Sequence, residues 1–112
     1  MSKEVVSLER MERALNYLSE TDDECAKLRS DWARFEWLAK SVKDTVFSGL
    51  TDGSVADRQA IANISVEHRG AQNKAFDAFY KYEAMKNRRA TESIVIDTWR
   101  SLNSARNKGQ IL

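Results

Sequence analysis

From Cys25 onward the apolar residues fall at Cys25, Leu28, Trp32, Phe35, Ala39, Val42 and Val46, a 3, 4, 3, 4, 3, 4 spacing that runs unbroken through three heptads. Strict 3.5-residue periodicity keeps one narrow stripe turned toward a neighbour, so these seven positions predict a helix whose seam faces another helix. Arg29, Glu36 and Lys43 flank the seam on one side and Glu24, Asp31 and Leu38 on the other, mixed charges suited to steering a partner. Trp37 and Leu38 lie off the seam and widen the apolar face. That width favours a packing of three or four helices over a simple two-stranded coil.

The remaining composition is consistent with this. Among 112 residues there are 4 glycines and no proline, so turns are few and elements long, which excludes most all-β folds. The length suits one small domain. No window is apolar enough for a membrane span, and the opening segment lacks the apolar core of a signal peptide, so a soluble, cytoplasmic protein without membrane contact is expected. One cysteine and one histidine provide neither an internal disulfide nor a closed zinc site.

Punctuation places the boundaries. Ser7 is the candidate N-cap of a first helix over about 8–19, with Leu8, Met11, Leu15 and Leu18 on one stripe. Thr21-Asp22-Asp23-Glu24 has the Thr-x-x-Glu pattern of a capping box and predicts the start of the heptad-bearing helix, about 22–47. The glycine-containing stretch 48–54 is the loop, and Ser54 with Asp57 opens a short helix over about 55–64. Ser65 to His68 reads as a second cap, followed by a long helix over about 66–106 and a frayed tail at 107–112. The expected fold is all-α: a single helical domain, 1–112, forming an elongated hairpin or bundle.

The last helix carries two apolar zones separated by a polar interval at 86–93. If the second helix doubles back across the loop, it ends opposite that interval, and Ile94, Val95, Ile96, Trp99 and Leu102 overhang. This zone must meet either the first helix or another chain, and it is the candidate oligomer or partner interface, since an exposed patch so apolar is unusual. A strand over 93–98 is the alternative, but nothing else in the chain could pair with it. Tryptophan beside arginine, as at Trp99-Arg100, is the composition of interface hot spots.

Charge is unevenly distributed: residues 1–57 carry a net −4 and residues 58–112 a net +5. The asymmetry fits two arms of a hairpin that attract each other, or a basic surface for an acidic partner. Candidate charged contacts are Lys86, Arg88, Arg89, Arg100, Arg106 and Lys108; Glu83 and Glu92 offset part of their field, so any nucleic-acid contact is expected to be weak. Glu92 reads as one half of a solvated or interfacial ion pair. No phosphate loop, nucleophile elbow or metal-ligand motif occurs, so no catalytic residue, metal ligand or cofactor is assigned and an enzyme is not expected. Cys25 on the seam reads as a small buried apolar group.

Four segments, Glu12 to Asp22, Gly53 to Arg58, Tyr82 to Arg89 and Trp99 to Arg106, together resemble a family of small helical proteins encoded by tailed phages and prophages of enteric bacteria. The resemblance runs over nearly the whole chain, and Trp99-Arg100-Ser101-Leu102-Asn103 is its most distinctive part. Ala90 departs from it, standing where another basic residue is expected. The genes of that family lie in early regions near recombination functions, so the resemblance implies a setting rather than a mechanism. The expectation is a homodimer that meets a phage or bacterial host protein during early infection, on DNA recombination or host nuclease machinery.

Overall fold

The computed structural model describes residues 6–109. About 90% of them are helical and none lies in a strand, so the fold is all-α. The elements are α1 (Leu8–Gly49), α2 (Val55–Ile64) and α3 (Val66–Asn107). Among the described residues no helix is long and apolar enough to cross a membrane. The chain divides into two compact units: unit 1 is Met1–Cys25 with Ala84–Leu112, and unit 2 is Ala26–Glu83.

The two helices expected over 8–19 and 22–47 are one helix of 42 residues. Thr21 does not cap: its hydroxyl donates to the Tyr17 carbonyl one turn back at 2.7 Å, the way a mid-helix threonine satisfies itself. The reason lies in the periodicity. Met11, Ala14, Leu18 and Thr21 precede Cys25 with the same 3, 4 alternation, so the seam never shifts and a break would interrupt it. The true start is Ser7, whose Oγ accepts from the Arg10 backbone N–H at 3.0 Å.

The other boundaries follow the sequence closely. Gly49 still belongs to α1, which shortens the loop to 50–54. Ser54 and Asp57 form a reciprocal capping box: Ser54 Oγ accepts from the Asp57 N–H at 3.1 Å, and Asp57 Oδ2 accepts from the Ser54 N–H at 3.2 Å. Gly53 precedes them at φ +89°, a conformation that disfavours a side chain. Ser65 ends α2 and begins α3, its Oγ accepting from the His68 N–H at 3.2 Å. Of the tail expected at 107–112, Asn107 belongs to α3 and residues 110–112 lie outside the described residues.

Unit 1 has its core where Met11 and Ala14 of α1 meet Ile96 of α3, with Val6, Leu18, Val95 and Trp99 packed around them. Most of the zone expected to overhang is therefore internal. Because α1 is a single helix, its first turns supply the cover that residues 94–102 need. Leu102 is half-buried, and only Ile94, 63% exposed, remains as an outward large apolar group of that zone.

In unit 2 the seam residues Leu28, Trp32, Phe35, Val42 and Val46 are half-buried and Ala39 is buried, as are Ala62, Ala75 and Ala78. Trp32 stacks on Tyr82 at 5.8 Å between ring centroids and tilts against Phe79 at 4.9 Å. His68 Nδ1 donates to the Ala39 carbonyl at 3.0 Å, and Arg58 of α2 lies 5.4 Å over the Phe47 ring near the end of α1. The fully enclosed side chains of this unit are alanines, while Trp37, on the widened face, is 65% exposed. Gly70, early in α3, has open space where a Cβ would stand. Within one chain an alanine there would favour the helix by about 0.8–1 kcal/mol.

Candidate functional site

Charged chemistry concentrates in unit 1 around Glu92, which is only 2% exposed. It occupies a seam position of α3, in the series Met85, Arg89, Glu92, Ile96, Trp99. Arg10 of α1 donates to both of its oxygens, Nη1 to Oε1 at 2.6 Å and Nη2 to Oε2 at 2.9 Å, a bidentate fork. Arg88, one turn before it on α3, adds a third bond from Nε to Oε2 at 3.1 Å and lies 4.6 Å over the Tyr17 ring. The Arg10 hydrogen bond, reinforced by Arg88, holds the Glu92 carboxyl below its ordinary range against the opposing effect of burial. The same bond to Glu92 raises the Arg10 guanidinium.

A carboxylate so fixed serves as a charged acceptor rather than a proton donor. The open polar depression beside it, about 510 Å³, also borders Arg13, Asn16 and Glu20. Its three arginines face two carboxylates, so little net positive charge is left for an anion. Of the two readings its sequence neighbours allow, solvated or interfacial pair, the structure has the interfacial one: Glu92 is a buried ion bound from both helices.

Arg89 forms the second link of unit 1. Its Nη1 donates to the Leu18 carbonyl at 2.8 Å and to Thr21 Oγ1 at 2.6 Å, and its Nη2 pairs with Asp22. The Thr21-Asp22 pair that resembles a cap is therefore the receptor for an arginine from α3.

Of the candidate charged contacts, Arg88 and Arg89 are engaged within unit 1, Arg89 half-buried and Arg88 still exposed. Arg100 stands 4.0 Å from Asp97 on its own helix, and Lys108 is exposed. Lys86 and Arg106 are exposed and each makes an interaction of its own. Among the candidate interface residues, Ile96 belongs to the unit 1 core, and Val95 and Trp99, half-buried, pack against it. Cys25 is half-buried and carries a free thiol.

Unit 2 presents a different kind of site. An apolar groove of about 550 Å³ runs between α1 and α3, walled by Phe35, Leu38 and Val42, with Val66, Gly70 and Ala71 along α3 and Glu67 and Lys74 at its charged positions. Phe35 and Val42 lie on the heptad seam, but the seam alone does not specify a groove. The signal was Leu38 beside a seam whose α3 counterpart carries glycine and alanine. Comparison with protein-family models, curated proteins and solved structures finds no match to this chain.

Proposed function

We propose that this chain is a non-enzymatic interaction protein of a phage or prophage, acting through protein–protein contacts in early infection, on DNA recombination or host nuclease machinery. Its partners are a second copy of itself and a phage or host protein in the bacterial cytoplasm. The observation that supports protein contacts is the exposed apolar surface of unit 2, where Trp37, Leu38, Val66, Phe76 and Tyr80 all face outward. Large apolar and aromatic groups left uncovered on a small protein are the raw material of interfaces. The phage setting and the process rest on the sequence resemblance alone.

A direct nucleic-acid binder using the basic C-terminal helix is the second reading. It would use Lys86, Arg88, Arg89, Arg100, Arg106 and Lys108, of which Arg100 and Lys108 border one small depression with Ser101 and Ser104, but Arg88 and Arg89 are already bound to the protein itself. A gel-shift titration separates the two. Protein contacts predict weak, non-specific DNA association, about 10⁻⁴ to 10⁻⁶ M at physiological salt, together with capture of a host or phage protein that survives nuclease treatment and is lost on Trp37→Ala with Phe76→Ala. Nanomolar DNA binding that falls steeply with salt and disappears on Arg100→Glu with Lys108→Glu overturns it.

A further inference from the structure

We propose that the unit 2 groove receives the same segment of a second copy, the two α3 helices crossing antiparallel about a two-fold axis at Gly70 and Ala71. The inference rests on the protein-contact reading and names the first partner and its surface. Gly70 is unexplained within one chain: a Cβ there meets nothing, and glycine inside a helix is destabilising relative to alanine. A glycine in the floor of an apolar groove is accounted for when another backbone approaches closely.

Charge identifies that backbone as a second copy. The charged groups lining the groove are Glu67 and Lys74, which lie three residues before Gly70 and three residues after Ala71. A two-fold axis between Gly70 and Ala71 sets Glu67 of each protomer opposite Lys74 of the other. Such a contact is isologous, each residue meeting the counterpart of its own partner, and it closes after two copies. Phe35, Leu38 and Val42 then flank the crossing, and Val66, 81% exposed in one chain, lies in the same groove lining.

Sedimentation of the full chain across the micromolar range tests this, with circular dichroism to confirm that each variant remains helical. The wild type is expected to dimerise. Gly70→Leu should weaken the dimer by about tenfold or more, the equivalent of one strong side-chain contact. Glu67→Lys and Lys74→Glu should each be monomeric alone, yet dimerise with each other when mixed and again when combined in one chain. That rescue depends on the crossing and not on helix stability. A dimer indifferent to all these variants overturns the groove as the interface while leaving self-association standing. A wild type that is monomeric throughout overturns the second copy altogether, and protein capture in the nuclease-treated lysate then still judges the wider reading on its own.

Discussion

Arg10 and Glu92, 82 residues apart in the chain, meet as a two-point ion pair with N to O distances of 2.6 and 2.9 Å. The pair joins the first turn of α1 to the C-terminal part of α3 within unit 1, directly beside the small core of Met11, Ala14 and Ile96. A buried carboxylate is costly unless it is fully bonded, so a shift of α1 along α3 that parted these two residues would leave Glu92 unpaired. The pair thereby specifies register, as polar seam residues do in coiled coils.

Glu92→Gln should destabilise the protein by about 1.5–3 kcal/mol at neutral pH, the range for a hydrogen bond to a charged group. The carboxyl of Glu92 is lowered from its ordinary 4.5 in the folded chain, so its contribution is complete above that value and is lost as pH falls through the lower folded one. Denaturation followed from neutral to acid pH should therefore show the wild type and Glu92→Gln converging below the ordinary carboxylate range. Parallel curves throughout that range would contradict the assignment.

Thr21→Ala should leave α1 continuous. A genuine N-cap replaced by alanine costs about 1 kcal/mol and frays its helix, whereas here the loss is one bond to Arg89 and one to the Tyr17 carbonyl. Helicity by circular dichroism is expected to be unchanged, and Arg89→Ala, which removes the bonds to Leu18, Thr21 and Asp22 together, should be the more destabilising of the two. Amide exchange that accelerates around residues 19–24 only in Thr21→Ala would restore the capping reading.

Ile96→Asp should unfold unit 1 rather than dissociate an oligomer. Ile96 is 7% exposed and packs in the core with Met11 and Ala14, so an unpartnered carboxylate there is expected to cost about 3 kcal/mol or more. The exposed neighbour Ile94→Asp should change stability by less than about 0.5 kcal/mol. Thermal denaturation of the two variants side by side checks this, and equal effects would be inconsistent with the packing.

Gly53→Ala should destabilise by about 1–2 kcal/mol, the cost of a side chain in the left-handed region. Its Cβ would also stand 3.2 Å from the Asp57 Cβ, disturbing the carboxylate that caps α2. Ser54→Ala should produce a smaller loss of about 1 kcal/mol. Chemical denaturation of both variants orders the two effects.

The local code was readable where one chemical signal had one structural meaning. Ser54 with Asp57 and Ser65 before His68 fixed both ends of α2 and the start of α3, because side-chain caps act within three residues of backbone. Thr21 misled because Thr-x-x-Glu has two uses, and a threonine can cap the next helix or bond back into its own. The seam running unbroken from Met11 through Thr21 to Val46 was the evidence for continuity, hidden because Ala14 and Thr21 are not large apolar residues.

The all-α class, the length of α3 and the inward side of the heptads were determined by the sequence itself, since helix periodicity and capping are properties of neighbouring residues. Tertiary structure decided what the polar interval of α3 is for. Among their neighbours Arg89 and Glu92 could face solvent or an interface, and only the approach of Leu18, Thr21, Asp22 and Arg10 from α1 makes them links between the helices, Glu92 buried and Arg89 half-buried. It also decided that Ile96 lies inside with Trp99 packed against it, because whether an apolar stripe is core or interface depends on which other segment reaches it, and that is a long-range fact no local pattern carries.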